Sequence, residues 1–207
     1  MKNTKEKILL AASKLFLKGG ISALSVRAIA RESNLSTIGI YSHFNGKQGI
    51  LDALYIEGFT RFQHAVDVPI NSENPKESIM LATQGYIKTA VKYRGHYLLI
   101  FGESVADYCP SDEAKQSSVQ AFLQTTKIIE TILPKAASFE QKRNTTLQVW
   151  SIVHGYMGLM HHAIAEEIDN AHWEGLILDT VSLHIDALLK LNQSAQVLTN
   201  SNPNAIN

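Results

Sequence analysis

The stretch from Ser25 to Lys47, SVRAIARESNLSTIGIYSHFNGK, constrains the fold more than any other part of this 207-residue chain. Ser25 can cap a short helix running to about Ser33, with Ile29 and Ala30 facing inward. Asn34-Leu35-Ser36 then reads as a turn, because asparagine tolerates positive φ and Ser36 can cap the next helix. That helix is expected from Thr37 to about Phe44, where Asn45-Gly46 breaks it. Two short helices across a turn of about three residues have the dimensions of a helix-turn-helix. Ile40 and Phe44, one turn apart, can hold the second helix in place. Ser36, Thr37, Ile38, Gly39, Tyr41 and His43 are left for its outer side or edges. Glycine in a helix costs about 1 kcal/mol against alanine, so Gly39 suggests close approach of another surface, with a DNA backbone or base edge the obvious candidate. A small helix bundle whose aromatic cluster is merely core fits the same periodicity.

The rest of the chain also reads as helices. Asn3 with Glu6 resembles a capping box. Ile8, Leu9, Ala12, Leu15 and Phe16 repeat at helical spacing, and Gly19-Gly20 stops that helix. A longer helix starts near Lys47 and ends before Pro69. Asn74-Pro75-Lys76-Glu77 is a strong restart, with a capping asparagine, proline in the first turn and a glutamate behind it. Further helices are expected at about 75–92, 95–106, 112–133, 139–164 and 171–191. Pro110 and Pro134 fall in the gaps, and Ser138 with Gln141 makes another capping box. No run keeps the two-residue alternation of a strand for long, so the class is all-α. The stretch 192–207 has no aromatic or charged residue and is expected to be a disordered tail.

Net charge hides an asymmetry. The chain carries 19 basic and 19 acidic side chains. Up to Gln48, eight lysines and arginines face only Glu6 and Glu32, a net of +6, and the remainder carries −6. Such a split suggests that one part meets a polyanion, although solvated helix faces would give the same count. No apolar run approaches the roughly 18 residues needed to span a bilayer, and the lysine-rich start is unlike a signal peptide. A single cysteine, Cys109, leaves no intrachain disulfide, and a reducing cytoplasm is expected.

With these residues in view, residues 5–60 resemble the DNA-binding domain of the tetracycline-repressor (TetR) family of bacterial transcriptional regulators. The resemblance rests on KILLAASKLFLKGGISALSVRAIA, the turn NLS, the segment IYSHF and Lys47 at the head of the fourth helix. Asn34 stands where glycine is usual, a change its φ tolerance accommodates. Val26 stands where a threonine often touches phosphate, which leaves that contact to Ser25 or to nothing. The resemblance implies a helix-turn-helix domain over 1–46, a roughly six-helix effector-binding and dimerisation domain over 47–191, and a homodimer. Two recognition helices about 34 Å apart or slightly more would read a palindromic operator. Lys47, where the helix dipole also favours anions, and Tyr41 are the first choices for phosphate, with Ser25, Ser36 and His43 able to do likewise. Arg27, Thr37, Ile38 and Gly39 are best placed to meet base edges or thymine methyl groups.

A weaker similarity lies in QVWSIVHGYMGLMHH, where Trp150, His154 and Gly155 are similar to the Trp-His-Gly signature of one subgroup of C-terminal domains. Trp150, His154, Met157 and His161 share a helical face, and Gly155 and Gly158 would let another helix come close. A ligand-pocket wall and a packed core both fit. The effector is expected to be small and mainly apolar, against Tyr86, Phe101, Tyr108, Phe122, Trp150, His154 and Met157. Trp173, Leu176, Ile177, Thr180, Val181, His184, Leu188 and Leu191 form a stripe wide enough for both core and a partner copy.

Other functions find little footing. There is no GxSxG elbow, glycine-rich phosphate loop or HExxH motif, so no enzyme activity is expected. His162 and Glu166 stand one turn apart in a cluster with His161 and Glu167, but a solvated helix end is the commoner reading, and neither metal nor cofactor is expected.

Overall fold

The computed structural model describes residues 3–102, 108–160, 162, 165 and 167–201, with side chains in the last helix to residue 194. The helices are α1 Thr4–Gly19, α2 Val26–Ser33, α3 Thr37–Tyr41, α4 Gly46–Val66, α5 Pro75–Lys92, α6 Arg94–Phe101, α7 Asp112–Ile129, α8 Phe139–Leu159 and α9 Asn170–Ser201. Short 3-10 turns occupy Ile21–Ala23 and Glu130–Ile132. No strand occurs among the described residues, so the all-α class holds.

The capping signals act as expected. Asn3 Oδ1 accepts the Glu6 N–H at 2.9 Å while the Glu6 carboxylate accepts the Asn3 N–H at 3.3 Å. The Ser138 and Gln141 box forms in the same way ahead of α8. Ser25 and Ser36 each accept a backbone N–H from the first turn of α2 and α3, which satisfies donors that a helix start leaves open. Asn34 adopts the left-handed conformation, with φ 56° and ψ 46°.

Several boundaries move. α3 ends at Tyr41 and not near Phe44. There the Ser42 hydroxyl donates to the Gly39 carbonyl at 2.9 Å, competing with the backbone ladder. Gly46 follows at φ 67°, a left-handed turn that costs glycine little and starts α4 abruptly. α7 tightens into a 3-10 turn before Pro134, since the residue before a proline avoids helical geometry. α8 ends at Leu159, and the expected residues 161, 163 and 164 lie outside the described set. The same holds for 103–106 of the helix expected over 95–106. The stretch expected to be a tail is described only in part. Its first ten residues, 192–201, continue α9 as helix, because no proline or glycine intervenes before Pro203; residues 202–207 lie outside the described set.

The chain divides into two compact units, residues 1–64 with 88–122, and 65–87 with 123–207. In the first unit Ile8, Ala12 and Phe16 of α1 are buried with Ile29, Ala30, Ile40, Ile50 and Leu54, while Leu9 and Leu15 are partly buried. The same core takes in Leu99 of α6 and Tyr108, so the helix-turn-helix does not close its core by itself. Each fully buried isoleucine of this set contributes about 1.5–3 kcal/mol. Tyr55, Phe59 and Phe62 of α4 lie at helical spacing and meet Tyr97, Phe101 and Tyr108 at ring-centroid distances of 5.4–6.2 Å.

In the second unit Trp173, Ile177, Val181 and Ile185 recur every four residues as the buried row of α9. Lys76 of α5 pairs with Asp186 at 2.7 Å, and Gln84 donates to Glu174 at 3.0 Å. Gly85 is needed for space: a Cβ there would sit 2.3 Å from the Ala65 carbonyl oxygen.

Candidate nucleic-acid interface and ligand cavity

α3 is held from below and bare above. Ile40 is 0% exposed, whereas Ile38 is 79% and Tyr41 61% exposed on the same short helix. Helical spacing accounts for this: Ile40 points into the core with Ile29 and Ile50, so positions two before and one after it point away. A monomeric protein gains nothing from leaving a large aliphatic and an aromatic side chain side by side in water. Thr37, Ser36 and His43 are also exposed, as are Ser25 and Arg27 at the start of α2. Gly39 is half-buried, and a Cβ added to it would meet only Ser36 Oγ, at 3.4 Å. Nothing within the described chain therefore requires glycine there.

Lys47 lies in the first turn of α4, and its ammonium donates to the Ile21 carbonyl at 2.9 Å. A lysine carries three N–H donors, so two stay available. The sequence did not show this bond, which ties α4 to the 3-10 turn before α2. It also did not show the role of Asp52. The Asp52 carboxylate accepts from the Tyr108 hydroxyl at 2.6 Å, the Ser111 N–H at 3.1 Å and Gln48 at 3.2 Å. Burial first, and then this carboxylate, push the Tyr108 hydroxyl pKa far up, so it stays a donor.

The seven residues expected around an effector are divided between the two units. Tyr86, Trp150, His154 and Met157 belong to the second unit, and Phe101, Tyr108 and Phe122 to the first. Phe101 and Tyr108 are used in the aromatic core of the first unit. Met157 is fully buried. Tyr86 and Trp150 line a cavity of about 40 Å³ in the second unit. The rest of its wall is aliphatic or carries a hydroxyl, including Val66, Ile79, Thr83, Thr125, Ile129 and Val153, and no charged residue reaches it. Val149 and Val153, one and three residues from Trp150, could have been read from the helical period; the contributions of α5 and α7 could not.

His154 stands behind Tyr86. The Tyr86 oxygen is 3.0 Å from His154 Nε2 and 3.5 Å from Trp150 Nε1. An indole N–H only donates, so Tyr86 accepts from Trp150 and its own proton is left for His154 Nε2. Burial pushes the His154 pKa down to about 4, so the imidazole is neutral near pH 7. The His162 and Glu166 pair cannot be placed, because Glu166 lies outside the described residues; among the described residues no group of three metal-ligating side chains gathers. No helix among them is long and apolar enough to cross a membrane.

Comparison with known proteins bears on the first unit most directly. Residues 8–54 match the family model described as bacterial regulatory proteins, tetR family. The chain is 23% identical over 166 residues to the uncharacterised HTH-type transcriptional regulator YerO of Bacillus subtilis (strain 168), an alignment covering 77% of this chain and 57% of that protein. It spans about half the length of the curated relatives it matches, 57% and 49% for the first two. A TerR/AcrR-family transcriptional regulator from Aquifex aeolicus VF5 superposes with a TM-score of 0.66 at 16% identity, covering 87% of this chain and 99% of that one. The fatty acid degradation regulator FadR from Bacillus halodurans gives 0.69 at 13% identity, covering 89% and 95%. At these identities the structures establish a shared fold. The match to the tetR-family model thus falls on the helices α1 to α3 and the start of α4.

Proposed function

We propose that the chain is a tetR-family transcriptional repressor that binds a palindromic operator as a homodimer and leaves it when a small apolar effector enters the second unit. The observation that carries DNA binding is the pairing of a buried Ile40 with bare Ile38 and Tyr41 on α3. Ile38, Thr37, Gly39 and Arg27 meet the bases; Tyr41, Ser25, Ser36, His43 and the free donors of Lys47 meet phosphate. Lys47→Ala should weaken binding to all sequences alike and lower the slope of log K against log salt by about one unit. It also removes the bond to Ile21, at about 1 kcal/mol of stability. An anisotropy titration at several salt concentrations checks this, and an unchanged slope removes Lys47 from the phosphate contacts.

Support for the homodimer comes from the second unit. Leu183 and Leu191 of α9 and Leu147 and Leu159 of α8 are exposed large hydrophobics. Gly155, Gly158 and Gly175 have nothing within 4 Å of an added Cβ, so the room they leave is open to a second copy. Of the expected α9 stripe, Trp173, Ile177 and Val181 are core, while Leu176, Thr180, His184 and Leu188 are half-buried. Light scattering at micromolar concentration should give twice the 22.9 kDa chain mass; a stable monomer contradicts the dimer.

The effector reading rests on an uncharged cavity wall. A charged ligand would have to lose its hydration with no counter-charge to meet it, so a neutral compound is favoured. The cavity of about 40 Å³ has room for only a few waters, and a ligand must widen it, which is how entry would be coupled to a change of state. A preference of about 100-fold for the non-binding state supplies about 2.7 kcal/mol. α4, with Lys47 in its first turn and Val66 in the cavity wall, is the element to carry that change. Neutral apolar compounds should shift Trp150 fluorescence and release the operator together. If Trp150→Phe and His154→Ala fold normally and leave compound affinity and release unaltered, the cavity is core and the effector binds elsewhere.

A further inference from the structure

We infer that the first unit carries a second binding site, for a small organic anion with an apolar body, in the groove where α1, α4 and α6 meet. This inference is independent of the effector proposed for the second unit. The groove has a volume of about 620 Å³, within the range of small-molecule sites, whereas the cavity of the second unit has about 40 Å³.

Its charges are unbalanced. Both carboxylates on the groove are already engaged: Glu6 closes the capping box with Asn3, and Glu57 accepts from Arg61 and from His96 at 3.2 Å. The His96 hydrogen bond is the largest of several effects that hold the Glu57 pKa below the usual carboxylate range, so it stays an anion bound to its partners. The cations are another matter. Among the described residues Lys14, Lys92 and Arg94 have no carboxylate within 4.0 Å, and all three are exposed along the groove. Arg61 is stacked over the Tyr93 ring at 4.1 Å, and its Nε is buried with no acceptor. A buried donor without a partner is unfavourable, and an acceptor brought by a ligand would relieve it once the guanidinium turns to meet it.

The floor is apolar. Leu10 and Leu17 of α1 are exposed into the groove, and Tyr93 forms part of its wall. α6 approaches α1 closely enough that a Cβ on Gly95 would sit 2.6 Å from Ser13 Oγ, which fixes the two walls at one end. A sulfonate, phosphate or carboxylate set against Lys92, Arg94 and Arg61, with its hydrocarbon part over Leu10 and Leu17, satisfies these open groups together. A bare inorganic anion leaves the leucines wet, and a neutral hydrocarbon leaves the cations and Arg61 Nε as they are.

Anilinonaphthalene sulfonate tests this directly, with uncharged N-phenylnaphthylamine as its counterpart. The full chain should bind the sulfonate with a salt-sensitive fluorescence rise. The double variant K92A/R94A should bind it about five- to tenfold more weakly, the worth of two exposed ion pairs, with N-phenylnaphthylamine affinity and far-UV circular dichroism unchanged. Tyr86→Phe, in the cavity of the second unit, should leave sulfonate affinity as it is. If sulfonate affinity survives K92A/R94A, or falls with Tyr86→Phe in its place, the dye lies elsewhere and the inference is overturned.

Discussion

Replacing Ile40 with alanine should lower folding stability by about 2–5 kcal/mol, the usual cost of emptying a fully buried isoleucine site. Ile38→Ala, two residues away, should change stability by no more than about 0.5 kcal/mol, because that side chain is 79% exposed. The DNA effects should run the other way. Ile38→Ala should cut operator affinity in a protein that melts normally, while Ile40→Ala acts only through unfolding. Thermal melts and operator titrations on the same two preparations separate the effects. Equal losses of stability would mean that α3 does not seat Ile40 in the core and leave Ile38 in water.

The second large effect is a pH dependence of the second unit. His154 has a pKa of about 4 when folded and 6.5 when not, and burial is the cause. Between those values the unfolded chain binds a proton here that the folded chain does not, so stability rises with pH through this window. The group imposes no penalty above about pH 6.5, and the protein loses stability progressively as pH falls toward 4. The full difference amounts to about 3 kcal/mol. Urea melts of wild type and His154→Gln at pH 7 and pH 4.5 should therefore diverge, the wild type losing more on acidification. Parallel losses would show that His154 is solvated and not held neutral behind Tyr86.

The helix-turn-helix was legible because its signals are local. A capping serine, a left-handed Asn34, a second capping serine and a buried Ile40 all act within one or two turns, and each is found as read. The end of α3 is not legible from periodicity, because Ser42 competes for the Gly39 carbonyl. Composition carries no helix signal over 192–201, where α9 continues because no breaker stops it. The proposed effector cavity was the least legible part. Tyr86 and Trp150 meet from helices 64 residues apart in the chain, and nothing in the local pattern separates them from Phe101 and Tyr108, which pack into the other unit. The bond from Lys47 to Ile21 and the triple role of Asp52 are likewise tertiary facts.

The most direct test of the central claim, that the outer face of α3 reads DNA, is a Gly39→Ala titration. The substitution meets only Ser36 Oγ within the chain and favours helix, so the variant should fold at least as well as wild type. Fluorescence anisotropy against the DNA upstream of the protein's own coding sequence, beside a scrambled duplex, should show wild type binding the upstream sequence at least about 1,000-fold more tightly. Gly39→Ala should lose most of that preference while keeping its melting temperature. Wild-type discrimination by a folded Gly39→Ala protein, or no discrimination by wild type itself, would contradict the account.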